Sequence, residues 1–221
     1  SELLSKHINL SLRATTDLST AVIDSELTII AVGTPFNGDD IDLQYIEQVA
    51  KEIGEVLKEK QKYHTVIVKS TVVPGTTEET VRTILEKVSG KKVGKDFGLA
   101  MNPEFLREGA AISDFMNPDR IVIGGIDKRS IDAVKNLYLT FLENKIFFIE
   151  TNCNSAEMIK YVSNSFLATL ISFSNEMANL SSQISNVDIT NVMEAVHLDK
   201  RLSPRVNDKI IKPEVLTYLA A

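Results

Sequence analysis

Two carboxylates in the chain have a spacing that suits acid–base chemistry. Glu104 and Glu108 lie four residues apart in NPEFLREG, close behind Pro103. If Pro103 begins a helical turn, both carboxylates project from one face of that turn. One of them could then stay ionised while the other works as a general base or acid. The alternative is a plain helix start, at which two acidic side chains only complement the helix dipole.

A lysine and an asparagine have the same four-residue spacing further along the chain. Lys160 and Asn164 lie in EMIKYVSN, within a predicted helix. An ammonium and an amide on one helical face could together donate hydrogen bonds to a substrate oxygen that becomes an oxyanion. The alternative is a lysine whose stem covers apolar neighbours, followed by a solvated asparagine.

Two further residues are single candidates. The Thr71 hydroxyl follows a predicted strand, where it could hold a water, contact a cofactor or only bond to the backbone. Cys153 is the only thiol and lies at the start of a predicted helix, whose dipole would lower its pKa. No histidine is near Cys153 in sequence, which favours a structural role. The histidines are far apart and predict no zinc site: His7, His64 and His197.

The elements that must position these residues alternate between short apolar runs and longer amphipathic ones. The apolar runs predict strands buried on both faces, at 27–32, 64–70, 97–101, 120–125 and 145–150. A capping box of Thr76 and Glu79 would open the second of the amphipathic helices, which are predicted at 42–60, 76–88 and 130–142. This alternation predicts an α/β fold with a doubly wound, Rossmann-like parallel sheet.

Three of the predicted strand ends share an unusual composition. AVGTPFNGDD, KSTVVPGTT and MNPEFLREG each combine Pro or Gly with hydroxyls or carboxylates. In doubly wound sheets, ligands bind beyond the carboxyl ends of the strands. Turn formation explains any one of these loops, but three of them at one sheet edge favour a shared binding cleft.

The pattern changes after residue 150. A helical stretch without Pro or Gly runs from 154 to about 184, which would span roughly 45 Å at the rise of an α-helix. Its apolar stripe is too wide for one face of a surface helix, so we expect it to link two domains or to pack against a second copy. A short helix with Asp188 as its N-cap is predicted to end at His197.

The composition is that of an ordinary globular protein. The chain of 221 residues is 43% hydrophobic and 24% charged, which allows a sizeable core. A net charge of −6 without any Lys/Arg-rich run argues against a nucleic-acid partner, and the apolar runs are too short to cross a membrane. One cysteine excludes an intrachain disulfide and fits a cytoplasmic location.

Four segments together resemble the UDP-glucose/GDP-mannose dehydrogenase family of nucleotide-sugar 6-dehydrogenases. They are AVGTPFNGDDIDLQYIE, VIVKSTVVPGTT, MNPEFLREGAAISDFMNPDRIVIGG and ETNCNSAEMIKYVSNSFLATLISFSNEMANL, and the resemblance covers about residues 10–205. It implies NAD as cofactor and oxidation of the C6 alcohol of a nucleotide sugar to a carboxylate. The oxidation takes two hydride transfers, through a thiohemiacetal and a thioester on a cysteine. The PDRIVIGG continuation favours UDP-glucose over GDP-mannose or UDP-N-acetylmannosamine.

The resemblance also implies roles for single residues. Thr71 and Glu104 match residues that position water and act in base chemistry, with Glu104 as the base of thioester hydrolysis. Lys160 and Asn164 match the pair that stabilises the oxyanions, and Glu108 matches a glutamate near the nicotinamide. The loops that contact NAD are matched by Gly33, Thr34, Pro35, Ser70 and Thr71. The residues that match the substrate-binding positions of the family are Glu104, Phe105, Leu106, Arg107, Lys160 and Asn164. Residues 105–107 match the loop that covers the sugar nucleotide.

The resemblance divides the chain into three parts. Residues 1–150 match an NAD-binding, Rossmann-like domain without its first βα unit. Residues 151–202 match the long central helix and an all-α dimerisation region, which implies a homodimer through 154–185. Residues 203–221 form an unassigned tail that could belong to a C-terminal domain for the UDP-sugar.

Two motifs of the family have no counterpart in the sequence. The GxGxxG loop for the pyrophosphate is missing, and no Gly-rich segment with a cysteine follows DKRLSPR; Cys153 lies in a different motif. Omitted residues, a fragment or a broken gene would each explain this, and the first two are favoured because the first strand of such a sheet covers apolar neighbours. One alternative function is an inactive remnant that dimerises or binds nucleotides. A 3-hydroxyacid or 6-phosphogluconate dehydrogenase is another, but it leaves NPEFLREG unexplained.

Overall fold

A computed structural model describes residues 2–8, 10–142 and 146–199 and the short strands at 205–206 and 209–210. The chain divides into two compact units, residues 1–160 and 161–221. The first unit contains a five-stranded sheet, whose strands follow one another in space in chain order. These strands are β1 (Leu27–Ile30), β2 (Thr65–Val68), β3 (Gly98–Met101), β4 (Arg120–Gly125) and β5 (Phe147–Thr151).

The sheet is mostly parallel. β1, β2 and β3 run in one direction, with Ile67 of β2 opposite Ala100 of β3. β4 runs antiparallel to β3, with Met101 opposite Gly124, and β5 runs parallel to β4. The predicted α/β fold with a Rossmann-like sheet is therefore confirmed, but the sheet is mixed and the prediction of parallel pairing throughout is wrong. Burial on both faces cannot distinguish the two directions, because helices cover this sheet whichever way β4 runs.

The two outer strands are less buried than the sequence predicts. Phe147 and Ile149 of β5 are 76% and 40% exposed, and Ile29 of β1 is 46% exposed. These strands lie at the edges of the sheet, where helices cover only part of each face. Burial of β5 on both faces is therefore a wrong prediction, whereas β2 and β3 are buried throughout.

Helices flank the sheet on both faces. The predicted helices are present with ends within about three residues of the predicted ones, except that α4 begins six residues late, after a π-helical turn. Three short helices before β1 and after β3 are additional. In chain order they are α1 (Glu2–His7), α2 (Leu18–Asp24), α3 (Gln44–Glu59), α4 (Arg82–Ser89), α5 (Ala111–Met116), α6 (Lys128–Leu139), α7 (Cys153–Ser181) and α8 (Ile189–His197).

The predicted capping box before α4 is wrong. The Thr76 hydroxyl donates to the Val73 carbonyl at 2.7 Å instead of capping the helix. The first turn, Thr76–Val81, is π-helical and begins after Gly75, whose φ of 100° requires a residue without a Cβ. Its amide groups find another acceptor, which is described with the candidate site.

Alternation along the strands divides the core of the first unit between the two faces of the sheet. Val66 and Val68 of β2 pack in one cluster, which α3 and the first turns of α7 help to form. Ile67, between them, packs in a second cluster with Val134 and Tyr138 of α6. Successive side chains of a strand point to opposite faces, so the unit has three layers with the sheet in the middle.

The second unit contains most of α7, then α8 and the strand pair β6 (Arg205–Val206) and β7 (Lys209–Ile210). Asp188 caps α8 through its side chain, as predicted, and accepts from the Thr190 amide. The predicted tail at 203–221 lies outside the described residues except for these two strands. Within the described ranges, every helix is too short or too polar to cross a membrane.

Candidate active site

Two of the three strand-end loops are joined by hydroxyl groups. Ser70, which follows β2, donates to the Val32 carbonyl of the loop after β1 at 2.7 Å. Thr34 of that loop donates to the Thr71 carbonyl at 2.7 Å. Because β1 and β2 are parallel, these bonds hold the two loops side by side at the carboxyl ends of both strands. The structure thus brings together five of the six residues predicted to bind NAD, Glu108 being the sixth: Gly33, Thr34, Pro35, Ser70 and Thr71.

The loop after β1 leaves room for a ligand at its glycine. A Cβ added to Gly33 would have no atom within 4 Å, so the absence of a side chain there is not needed for packing. Gly33 and Pro35 are exposed, and Thr34 is half-buried. This open stretch of backbone beyond the carboxyl end of β1 fits a cofactor that lies across the strand ends.

Asn102 anchors the third loop, which follows β3. It is 3% exposed, and its amide N–H donates to the Val68 carbonyl at 2.8 Å. The side-chain Nδ2 donates to the Val122 carbonyl at 2.8 Å. Its Oδ1 accepts from the Tyr138 hydroxyl at 2.7 Å and from Lys69 Nζ at 3.1 Å. Asn102 therefore ties the loop to β2, β4 and α6 at once.

Residues 102–107 have no helical structure, and α5 begins only at Ala111. The prediction that Glu104 and Glu108 share a helical face is therefore wrong. The Glu104 carboxylate accepts from the Leu106 amide at 2.6 Å, which folds the chain into a tight local turn in place of a helix. Glu108 is exposed in the turn before α5.

Lys160 and Glu104 form an ion pair that the sequence did not indicate. Lys160 Nζ lies 3.0 Å from Glu104 Oε1, and the lysine side chain is 8% exposed against 32% for the glutamate. The alternative of a lysine that extends to solvent is therefore wrong. The Phe105 ring is close to two cations, with the Arg120 guanidinium 4.4 Å and Lys160 Nζ 5.3 Å from its centroid. Phe105 thus adds a cation–π contact to the ion pair of Lys160.

Several charges act on Glu104. Burial alone would raise its pKa, but the Leu106 amide and the ammonium groups of Lys160 and Lys69 outweigh burial and lower it. Burial lowers the pKa of Lys69 to about 8, an effect that Glu104 opposes and Lys160 reinforces. Glu104 is therefore held as a carboxylate at neutral pH, next to a buried ammonium.

Glu157 is a buried carboxylate that sequence reasoning missed. It is fully buried, one helical turn before Lys160 on α7. Its two oxygens accept from the amides of Gly75 at 2.7 Å and Thr77 at 2.8 Å, which open the π-helical turn. Burial raises the pKa of Glu157 despite these bonds. The start of α7 therefore holds the second loop through Glu157 and the third loop through Lys160.

Cys153 is a structural residue. It is fully buried at the first position of α7. Burial raises its pKa to about 12, and the carboxylates of Glu78 and Glu157 act in the same direction. The prediction that the helix dipole lowers this pKa is wrong, because the dipole acts on a thiol that water does not reach. The described residues contain no group of His, Cys, Asp and Glu side chains placed to hold a metal ion.

The remaining predicted residues lie at the surface of their units. Arg107 is exposed, and it donates to both carboxylate oxygens of Asp114, with Nη2 2.7 Å from Oδ1 and Nε 3.0 Å from Oδ2. Leu106 is 37% exposed. Asn164 is exposed on the part of α7 that belongs to the second unit. The roles implied for these residues and for Glu108 stay predictions.

Comparison with known proteins decides the family. The model of the UDP-glucose/GDP-mannose dehydrogenase family, NAD binding domain, matches residues 1–142, and the central domain of the same family matches residues 154–215. The chain belongs to this family. NAD, predicted from the resemblance, is confirmed as its cofactor.

Similar members of the family act on different nucleotide sugars. A GDP-mannose 6-dehydrogenase from Pseudomonas savastanoi pv. phaseolicola is 47% identical over 205 residues, which are 91% of this chain and 46% of that protein. A UDP-glucose 6-dehydrogenase from Haloferax volcanii is 40% identical over 204 residues, 91% of this chain and 47% of that protein. The chain thus spans about half the length of the curated relatives that it matches.

Solved structures of family members have the same fold. A ternary complex of GDP-mannose dehydrogenase from Pseudomonas aeruginosa matches with a TM-score of 0.80 and 43% identity, over 85% of this chain and 42% of that one. A UDP-glucose dehydrogenase from Pyrobaculum islandicum matches with a TM-score of 0.79 and 41% identity, over 90% of this chain and 44% of that one. Over most of its length, the chain therefore has the fold of this family of NAD-dependent nucleotide-sugar dehydrogenases.

Proposed function

We propose that this chain is the central part of an enzyme that oxidises the C6 alcohol of a nucleotide sugar to a carboxylate. The observation that carries the proposal is the ion pair of the buried Lys160 with the half-buried Glu104, beside two loops that suit NAD. NAD would accept the hydride in each of the two oxidation steps. The thiol that carries the thioester would come from a segment outside the sequence described above, because Cys153 is buried and protonated.

In this proposal, Glu104 is the base that hydrolyses the thioester. Its carboxylate takes a proton from a water held near Thr71, and the resulting hydroxide attacks the acyl carbon. Lys160 and Asn164 donate to the oxyanion of the tetrahedral intermediate, which collapses to release the thiolate and the sugar carboxylate. The lowered pKa of Glu104 keeps the base ionised before each turnover, and the buried Lys160 ammonium can act strongly on a nearby oxyanion because water does not screen it.

Two substrates are candidates. The PDRIVIGG segment favours UDP-glucose, whereas the 47% identity to a GDP-mannose 6-dehydrogenase, against 40% to a UDP-glucose 6-dehydrogenase, favours GDP-mannose. We propose UDP-glucose as the first candidate and GDP-mannose as the second. A side-by-side measurement of NADH formation with each sugar, at equal enzyme concentration, separates them.

The test uses the full-length protein and the variant Lys160→Ala. We expect turnover to fall by two orders of magnitude or more, as is typical when a donor to an oxyanion is lost, at about 10²–10³-fold. Lys58→Ala is the matched control, because Lys58 is an exposed lysine that pairs with Glu55 on α3. Turnover like that of the wild type in Lys160→Ala would refute the role of Lys160. Lack of NADH formation with any nucleotide sugar, in a protein with an intact thiol and GxGxxG loop, would refute the function.

An inactive remnant is the other outcome to be separated. An intact mass near 24.5 kDa for the expressed protein would mean that the chain exists alone, without the missing motifs. A mass near twice that value would indicate the complete enzyme.

We also propose that the protein forms a homodimer through residues 154–185. Four apolar side chains of α7 in the second unit are exposed at spacings of four, seven and seven residues: Val162 (57%), Phe166 (63%), Phe173 (53%) and Leu180 (52%). Such a stripe suits helix–helix packing with a second copy. Light scattering after size exclusion should give a dimer, and Phe166→Glu with Phe173→Glu should give a monomer. A wild-type monomer would refute this part of the proposal.

A further inference from the structure

Lys69 is a charged residue at the centre of the strand-end loops to which the family resemblance gives no role. It follows β2 directly and precedes Ser70 and Thr71. The side chain is half-buried, and Nζ donates to Asn102 Oδ1 and to the Tyr138 hydroxyl oxygen, both at 3.1 Å. An ammonium has three N–H donors, so these bonds use two of them. These two hydrogen bonds hold the ammonium group in one place, unlike that of an exposed lysine, which moves freely in water.

The partners of Lys69 are themselves fixed. Tyr138 is 7% exposed, and its hydroxyl donates to Asn102 Oδ1 at 2.7 Å. Asn102 Nδ2 donates to the Val122 carbonyl at 2.8 Å, so a flip of the side-chain amide would break this bond. The Lys69 ammonium is therefore held at one position by α6, β4 and the loop after β3.

From that position, Lys69 acts on Glu104. Its charge lowers the pKa of Glu104 from a distance, in addition to the contact with Lys160, and Glu104 in turn raises the pKa of Lys69. Asn102, which Lys69 contacts, starts the loop that carries Glu104. Lys69 can therefore influence the carboxylate both through its field and through the anchor of the loop.

We propose that Lys69 is a positioning residue for Glu104: its ammonium, held by Asn102 and Tyr138, fixes the start of the loop that carries Glu104 and so keeps this carboxylate in place beside Lys160. The charged and titratable groups that face Lys69 are Glu104 of the loop, Lys160 of α7 and Tyr138 of α6. The contacts of Lys69 with Asn102 and Tyr138 carry this positioning role, and only its consequence for turnover rests on the proposed function.

The test is a titration of the Glu104 carboxyl in the 221-residue chain, followed by carboxyl ¹³C NMR. Lys69→Met should raise the pKa of Glu104 by roughly 0.5–1 pH unit, less than the effect of about 1–3 from an opposite charge in contact. Lys69→Arg keeps the charge and should restore the wild-type value. Lys51→Met is the control, because Lys51 is an exposed lysine paired with Glu47 on α3. An unchanged Glu104 titration in a folded Lys69→Met variant would overturn the proposal.

A reciprocal measurement keeps the test independent of the folding of Lys69 variants. Glu104→Gln changes a partly exposed loop residue, and it should lower the pKa of Lys69 further below about 8, as measured from its side-chain NMR signals. If the Lys69 titration does not move, the two residues are not coupled and the proposal is wrong.

The complete enzyme separates this inference from the proposed function. Lys69→Met should shift the acidic limb of the kcat profile upward in pH, and Lys69→Arg should reverse the shift. If the Glu104 titration moves with Lys69 while the kcat profile does not, the positioning role holds and Glu104 is not the base.

Discussion

Replacement of Glu157 should test the link between α7 and the second strand-end loop. The carboxylate accepts from the buried amides of Gly75 and Thr77, at 2.7 and 2.8 Å. Each buried donor left without a partner costs about 1–3 kcal/mol. Glu157→Ala leaves two such donors, which gives about 2–6 kcal/mol. Part of this loss is offset because the variant no longer buries a carboxylate, so we expect the free energy of unfolding to fall by about 2–4 kcal/mol.

Glu157→Gln is the matched variant, because it keeps the volume and removes one acceptor oxygen. The amide oxygen can still accept from Gly75 or Thr77, while the amide nitrogen faces the other donor. We expect a loss of about 1–3 kcal/mol, smaller than that of the alanine variant. Urea denaturation followed by the circular dichroism of the helices measures both values.

The pH dependence of the difference provides a second check. Burial raises the folded-state pKa of Glu157 above 4.5, its ordinary value. The stability that this group contributes is thus fully present below about pH 4.5 and is lost as the pH rises through the folded-state pKa. The difference in the free energy of unfolding between the wild type and Glu157→Gln should be larger near pH 4.5 than at pH 7. A loss below about 1 kcal/mol in Glu157→Ala would refute the reasoning, since the two amides would not depend on this carboxylate.

Burial lowers the pKa of His64 to about 4, so the free energy of unfolding should fall by on the order of 3 kcal/mol as the pH decreases from 6.5 to 4. Urea denaturation of His64→Gln at several pH values should lack this loss. An equal dependence of stability on pH in the variant and the wild type would contradict the prediction. Gly124→Ala should destabilise the protein by about 1–3 kcal/mol, because a Cβ there would lie 2.7 Å from backbone atoms at the start of α7. In the same denaturation assay, Gly33→Ala is the control with open space at the Cβ position, and equal effects of the two would refute the packing argument. Arg107→Ala should raise the pKa of Asp114 from about 2 towards 3.8, as followed by carboxyl NMR, and an unmoved pKa would mean that the pair does not form in solution.

Local patterns in the sequence were sufficient for most of the fold. The apolar runs predict all five strands, because each is short and bounded by turn residues. Asp188 predicts the start of α8, since an N-cap depends only on residues close in sequence. The direction of β4 was not predictable in the same way, because an antiparallel strand covered by helices has the same apolar pattern as a parallel one.

The candidate site was less predictable, because its decisive contacts join distant parts of the chain. Lys160 and Glu104 are 56 residues apart, and the partners of Glu157 lie 80 and 82 residues before it. A carboxylate within a helical pattern normally faces solvent, so the pattern around Glu157 gave no sign of burial. The resemblance to a family selected Lys160 and Glu104, but it did not indicate that they pair or that Lys69 acts on the same carboxylate.

The antiparallel step between β3 and β4 has a consequence for how the segment between these two strands can vary. Because β4 is an antiparallel neighbour of β3, the segment from 102 to 119 begins and ends on the same side of the sheet, at the carboxyl end of β3. A hairpin connection has the same arrangement. It needs no crossover helix to bridge the sheet, and its ends are held by Asn102 and by the first residue of β4, Arg120. Insertions or deletions between these two ends could therefore reshape the loop that carries Glu104 without any change in strand order. Exchange of this segment between relatives would test whether it can be replaced as one unit while the strand order is kept.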